Sequence, residues 1–403
     1  MKILQLNKYY WPKGGADRYM LELSALLESH AHDVIPFAMA HPQNQSTPYG
    51  RYFVSPVTTE QFGNPRSSLR TFLRSLYSFE AKRHLAQLVR REKPQIAHIH
   101  NIYTQISPSV LDLLYVKKIP TVMTVHDYHP IMPNYMMWAH GRVADLSTKG
   151  LLNLTLSRFH KNSYLMSFAQ GLAYKFHRSR KSYELAVKRF IAPSAFMRDQ
   201  LIAHGFDPKQ VVHVPHFVET ADKVPEYHDK GYILYIGRLT EEKGVGVLLR
   251  AMEGLPNVPC KIVGTGPVEA ELHLLGDRIA HVTFEGYQSG EALWQFIRGA
   301  RAVVVPSVWN EVFGLVALEA MAFGKPVIAS AIGALPEVVI DRHTGFLVPP
   351  GDVHALREAI SRVAEDPILA TQMGRAGRAL VEREFTAEKH YLRLMEVYRD
   401  AMG

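Results

Sequence analysis

A chain of 403 residues with 47% hydrophobic and 21% charged side chains is globular, which excludes a disordered protein. It is long enough for two domains of roughly 200 residues each. A single cysteine, Cys260, excludes an internal disulfide and a cysteine-based zinc site, and no apolar run approaches the roughly 18 residues that would span a bilayer.

The net charge of +8 is unevenly spread: residues 1–217 hold 27 Lys and Arg against 13 Asp and Glu, whereas residues 218–403 hold 19 against 25. A basic first half suits an anionic partner such as membrane lipid, a phosphorylated acceptor or nucleic acid, or else is only a solvated surface. In chain order, residues 2–6 read as a buried strand rather than a signal peptide, and a cytoplasmic protein is the simplest expectation. A loop through Gly14-Gly15 follows, then a helix with Asp17 in its first turn and Tyr19, Leu23, Leu26 and Leu27 on one face. Leu69, Phe72, Leu73 and Leu76 have helical spacing inside the basic stretch 66–93. Short apolar strands at 96–100 and 121–125 run into His98, His100 and Asn101, and into His126-Asp127. Segment 151–178 mixes Leu, Phe, Tyr and Met with Arg158, Lys161, Lys175 and Arg178, a pattern that fits either an anionic membrane surface or packing into the first domain.

Residues 215–230, with Pro215, Pro225 and several charges, read as a linker. A second series of strands at 232–237, 261–264, 281–285, 302–306 and 326–329 alternates with helical stretches such as 245–252 and 315–323. Alternation of this kind implies an α/β protein of two doubly wound, Rossmann-like domains, 1–217 and 218–386, facing across a cleft. Ligands in such sheets bind at the carboxyl ends of the strands.

The strongest local signal is Glu311-Val-Phe313-Gly314-Leu315-Val316-Ala-Leu-Glu319. A strand, a loop and a glycine lead into a helix, so free backbone N–H groups at Phe313, Gly314 and Leu315 can face an anion. Acids on either side suit a ligand with hydroxyls as well as phosphate, which is a nucleotide sugar. Arg238 and Lys243 bracket the turn after the strand 232–237, one a planar fork and the other a point charge for phosphate oxygens. Gly14 and Gly15 permit close backbone approach to a phosphate or sugar. Gly264-Thr-Gly266-Pro267 lacks the third glycine of a nicotinamide fingerprint and reads as a tight turn, with Pro267 suited to the first turn of a helix. The histidines at the strand ends converge on one sheet edge and single out His126 for the reaction centre. No Asp-x-Asp pair occurs, so a divalent-metal phosphate site of that type is not indicated.

Gly14-Gly15, His126-Asp127, Gly237-Arg238 with Lys243-Gly244, and Glu311 with Glu319 together resemble glycosyltransferase family 4, the retaining enzymes of GT-B fold. Ser330-x2-Gly333-x2-Pro336-Glu337 and Gly345-Phe-Leu-Val348 extend the likeness over essentially the whole chain. The resemblance implies that Glu311 contacts the donor hexose and Glu319 the ribose, and that Arg238 and Lys243 neutralise the diphosphate. It further implies that main-chain groups at Phe313–Val316 hold sugar and phosphate, that His126 lines the reaction centre, that Gly15 closes over the donor, and that helix 387–402 crosses back to the first domain. No metal cofactor is required on this reading, because fixed cations and helix N–H groups stabilise the leaving group, which itself takes the acceptor proton. The resemblance implies that the acceptor is a saccharide or a polyprenyl-diphosphate-linked glycan in cell-surface polysaccharide synthesis, and the expectation is a peripheral enzyme on an anionic membrane with no nucleic-acid partner. A sugar-nucleotide epimerase and a non-catalytic nucleotide-sugar binding protein are the competing classes.

Overall fold

A computed structural model of the chain describes residues 1–57 and 65–403; the side chains of 65–67 lie outside it, and with them Arg66, where the basic stretch 66–93 begins. The first half contributes strands β1 (Lys2–Leu6), β2 (Asp33–Phe37), β3 (Ile96–Ile99), β4 (Thr121–Thr124), a small hairpin β5 (Trp138–Ala139) and β6 (Arg142–Val143), β7 (Arg189–Ala192) and β8 (Val211–His213). The second contributes β9 (Tyr232–Ile236), β10 (Cys260–Val263), β11 (Val282–Phe284), β12 (Ala300–Val305), β13 (Val327–Ser330) and β14 (Gly345–Val348). Runs such as Val327–Ser330 are buried at every position, as strands covered by helices on both faces must be.

The two large sheets run β2-β1-β3-β4-β7-β8 and β11-β10-β9-β12-β13-β14, with parallel pairing throughout. Each reverses its winding beside its first strand, between β1 and β3 and between β9 and β12. Crossovers leave such a point toward opposite faces, which opens a crevice at the carboxyl edge. The loops at these two points are residues 7–14 and 100–102 in the first sheet, and 237–244 and 306–314 in the second.

Hydrogen bonds join the halves across this edge. The Tyr128 hydroxyl donates to the Asn310 carbonyl at 2.8 Å, and Ser194 Oγ donates to the Val312 carbonyl at 2.8 Å. The Glu337 carboxylate accepts the backbone N–H groups of Ala195 and Phe196, each at 2.7 Å. The helix Ala387–Met402 returns to the first half, where Leu394, Val397 and Tyr398 pack with Tyr19, Leu23 and Leu27. Val218 N–H donates to Phe385 carbonyl at 3.0 Å, so the outgoing and returning chains are tied at one place.

Two sequence expectations change. Pro267 does not enter a helix: the helix Glu269–Gly276 is capped by Val268, so the proline stays in the turn. Segment 151–178 is neither wholly core nor wholly surface. It forms the helices Leu151–Leu156 and Tyr164–Ser179, which bury Leu154, Gly171 and Ala173 but leave Leu152 70% and Leu165 76% exposed.

Candidate active site

The helix Leu315–Ala322 begins at Gly314, whose φ of +108° is a conformation that only glycine adopts freely. Elsewhere Ser194, Asp352 and Thr386 cap helices with their side chains. Gly314 supplies no cap, and the N–H groups of Phe313, Gly314, Leu315 and Val316 donate to no group among the described residues. Directly opposite, the helix Gly15–Ser29 also starts on an uncapped glycine, Gly14. A Cβ built on Gly15 would lie 3.5 Å from Leu315 Cδ1, so the two helix starts face each other at contact distance. Unpaired N–H groups and the partial positive charge of such ends suit an anion. Phe313 takes part through its backbone alone, because its ring is buried between His216, 5.1 Å away, and Phe385, 6.0 Å away.

Glu311 and Lys243 meet in this structure. Lys243 Nζ donates to Glu311 Oε1 at 2.6 Å, Ser307 Oγ donates to the same oxygen at 2.6 Å, and the ammonium sits 5.0 Å from the Trp309 ring centroid. Burial pushes the Glu311 carboxyl upward, but Lys243, Ser307 and Trp309 outweigh it and hold the group ionised, below the usual carboxylate range. Gly244 next door is irreplaceable for steric reasons: at φ +71° a Cβ would lie 1.9 Å from the Pro306 carbonyl oxygen. That contact sets the 237–244 turn against the 306–314 loop and brings lysine to glutamate. Arg238 is exposed, with its side chain unpaired among the described residues. Glu319 is buried midway along the helix Leu315–Ala322 and pairs with Arg18 of the opposite half.

His126 lies in a column of rings. Its Nε2 is 3.0 Å from His100 Nδ1, and its ring stacks 5.3 Å from both His100 and His216. Tyr19 packs 5.1 Å from it, and His390 lies beyond, 2.9 Å from the Tyr19 hydroxyl. His390 Nδ1 is 2.7 Å from the Pro215 carbonyl and must donate there, so its bare Nε2 accepts from Tyr19. Burial, reinforced by Lys8, pushes His126 down to about 3, so it is a neutral ring at physiological pH. His100 Nε2 is buried without a partner among the described residues. The arrangement that strands no buried N–H has His100 donating from Nδ1, which leaves His126 with a proton on Nδ1 to offer a ligand. Asp127 accepts from the Tyr103 hydroxyl at 2.7 Å and from His129 N–H at 3.0 Å, and burial pushes its carboxyl up to about 6.

The residues predicted to bind the donor therefore lie on the loops that meet at the two winding reversals, or on the helices those loops begin, whereas His126 follows the neighbouring strand β4. Sequence reading missed Arg18, Ser307, His216 and Tyr128. Arg18 carried a usable signal, lying one helical turn past Gly14; the others come from loops and a linker with no distinguishing pattern.

Two family models divide the chain: "Glycosyltransferase Family 4" matches residues 13–222 and "Glycosyl transferases group 1" matches residues 218–380. Phosphatidyl-myo-inositol mannosyltransferase of Mycobacterium leprae is 31% identical over 64% of this chain and 68% of its own length. An uncharacterized glycosyltransferase of Methanocaldococcus jannaschii is 30% identical over 43% of this chain, which spans only 49% of that relative. Among solved structures, HepE of Anabaena in complex with UDP-glucose superposes with a TM-score of 0.70 at 18% identity, over 99% of this chain and 100% of that one. The two parallel-sheet domains are the GT-B fold. With one family description taking over where the other ends, the chain belongs to glycosyltransferase family 4 and transfers a sugar from a nucleotide sugar.

Proposed function

We propose that the protein is a retaining, metal-independent hexosyltransferase that takes its sugar from UDP or GDP. On this reading the acceptor is a saccharide or a polyprenyl-diphosphate-linked glycan of cell-surface polysaccharide synthesis. The observation that carries the reading is the open N-terminus of the helix Leu315–Ala322 at the cleft, with Glu311 before it and Glu319 within it. The diphosphate lies at the free N–H groups of Phe313–Val316, approached by Arg238 and Lys243. Glu311 orients the hexose, Glu319 binds the ribose, and His126 donates from Nδ1 to a sugar hydroxyl. As the anomeric bond breaks, charge gathers on the leaving diphosphate, and these fixed donors stabilise it without a resident metal. The leaving phosphate oxygen takes the acceptor proton, so neither Glu311, which stays paired and ionised, nor neutral His126 acts as a base.

A membrane-side location is part of the proposal. Leu152, Leu156 and Leu165 are exposed beside Arg158, and Arg83, Arg90, Lys93 and Lys117 line a groove of 690 Å3 at the opposite edge of the first sheet. Exposed leucines beside a cation suit an anionic headgroup layer, and the basic groove is a separate surface for anions.

A thermal-shift series with UDP-, GDP- and ADP-sugars tests the donor, since a ligand at 100 times its Kd stabilises the folded state by about 2.7 kcal/mol. A shift with a UDP- or GDP-sugar is expected, and its absence with both refutes the donor reading. Sedimentation with neutral and anionic vesicles at low salt tests the surface; equal binding to both, or to neither, refutes it.

A further inference from the structure

The wall of the cleft contributed by the first sheet contains a cluster that the donor reading leaves unused. The loop after β1 carries Tyr9, Tyr10 and Trp11 in succession, all half-buried. Its backbone is pinned from both sides: Lys8 N–H donates to the Asn101 carbonyl at 2.7 Å, and the Lys8 carbonyl accepts from Met39 N–H at 3.2 Å. The indole of Trp11 stacks on His41 with centroids 5.1 Å apart and planes inclined by 14°, and Tyr9 packs tilted against Trp11 at 5.9 Å and edge-on to His41 at 6.3 Å. Lys13 donates to the Tyr9 hydroxyl at 3.3 Å and fixes that ring.

Two polar groups in this cluster lack a hydrogen-bond partner among the described residues. The Trp11 indole nitrogen is buried with no hydrogen-bond acceptor among the described residues. A buried N–H of this kind costs about 1–3 kcal/mol if nothing ever pairs with it. Lys8 is half-buried, and its ammonium makes no ion pair among the described residues, its nearest aromatic neighbour being Tyr9 at 5.7 Å. Its charge acts at a distance on Asp17 and on the reaction centre: it opposes the upward push of burial on Asp17 and Asp127 and depresses His126 and His129. Both unpaired groups are pure donors. Donors without acceptors, beside flat aromatic faces, fit a sugar ring bearing an oxygen-rich anion: the ring's C–H face lies on the aromatics and the anion takes the two donors.

We propose that Lys8, Tyr9, Trp11 and His41 form the acceptor subsite, and that the acceptor is a saccharide carrying a phosphate ester or diphosphate. The proposal rests on the donor reading above, which places the nucleotide diphosphate on Arg238, Lys243 and the helix Leu315–Ala322, leaving Lys8 for a different anion. A lipid-linked sugar diphosphate and a free sugar phosphate present the same chemistry to this subsite.

The test titrates three probes into the full chain saturated with UDP, followed by NMR: methyl α-glucoside, glucose 1-phosphate, and a glucosyl diphosphate with a short polyprenyl chain. The two phosphorylated probes are expected to bind about tenfold more tightly than the methyl glucoside, the worth of one charge-assisted hydrogen bond. Lys8→Gln should erase that preference, and Trp11→Leu, which keeps an apolar filler, should weaken all three probes. UDP affinity should be unchanged in both variants. Tighter binding of the polyprenyl probe than of glucose 1-phosphate identifies the lipid-linked source; equal binding identifies the free one. No preference for phosphate in the wild type, or variants that bind all probes normally, overturns the subsite. A Lys8→Gln loss of UDP affinity also overturns it, by returning Lys8 to the donor. Failure of wild-type UDP binding refutes the donor reading instead, and the same titrations without UDP still decide the subsite.

Discussion

The two walls of the cleft solve opposite electrostatic problems. On the second sheet, residues 237–244 and 306–314 keep their groups charged: Glu311 is buried but ionised because Lys243 and Ser307 converge on one of its oxygens. On the first sheet, residues 100–102 and 126–129 keep theirs neutral or close to it: His126 and His129 are pushed down to about 3, and Asp127 is pushed up to about 6. Burial acts on both sides, and the presence of a compensating partner decides the outcome. A charged wall suits a diphosphate leaving group, and a neutral wall suits sugar hydroxyls that must be oriented without competing for protons.

The comparison breaks most visibly at Glu311 and Lys243. Glu311→Ala strands the half-buried Lys243 and removes the proposed hexose contact, and Lys243→Ala removes a diphosphate cation. Each should lower kcat/KM by about 10²–10³, the usual cost of one preorganised electrostatic group, with an unchanged circular dichroism spectrum. Near-normal turnover of both at saturating donor would remove the pair from the site.

The neutral wall is tested through stability. The folded Asp127 carboxyl titrates at about 6 against a usual value near 3.8, so the folded state binds the proton more tightly than the unfolded state does. Stability from this group is fully present below about pH 4, declines as pH rises to about 6, and stays lost above that, a swing of up to about 3 kcal/mol. Asn at 127 keeps an oxygen for both hydrogen bonds, since Tyr103 and His129 donate to the same atom, Oδ1. Asp127→Asn should therefore raise Tm at pH 8 and leave it nearly unchanged at pH 4. A variant that melts lower at pH 8 would show that the charge is needed. His126→Asn should cost about tenfold in kcat/KM, one hydrogen bond's worth, with the loss constant from pH 5 to 8 because the ring does not titrate there. A loss that varies through pH 6.5 would make it a base.

Legibility in the sequence followed the distance between partners. Glu311, Gly314 and Glu319 fall within one strand–loop–helix unit, where spacing alone announces a helix start beside two acids, and the apolar runs gave five of the six strands of the second sheet but only β1, β3 and β4 of the first. Lys243 was visible as a cation after a strand. Its bond to Glu311 was not, because that depends on how Gly244 seats against Pro306. The ring column from His100 through His126 and His216 to His390 draws on two strand ends, the linker and the final helix. Single histidines at such places carry no periodic signal, and only the fold makes them one array. The apolar positions of 151–178 likewise named an amphipathic segment without saying which leucines would be covered.

Arg18 gives the smallest effect and the sharpest test of how the two walls communicate. Its guanidinium reaches across the cleft to Glu319, the carboxylate proposed for the ribose, and lies 3.5 Å from Glu22 on its own helix. Arg18 occupies Glu319 Oε1, so a ribose diol that takes both carboxylate oxygens competes with this pair. Partly exposed ion pairs contribute only about 0–1 kcal/mol, so the competition is mild. Arg18→Gln should accordingly tighten UDP binding by no more than about fivefold in calorimetry. Glu319→Gln should weaken it, and the double variant should resemble Glu319→Gln alone, because Arg18 has nothing to block once the carboxylate is gone. If Arg18→Gln weakens UDP instead, the guanidinium follows the donor into the site, and the charged wall includes one residue of the opposite half.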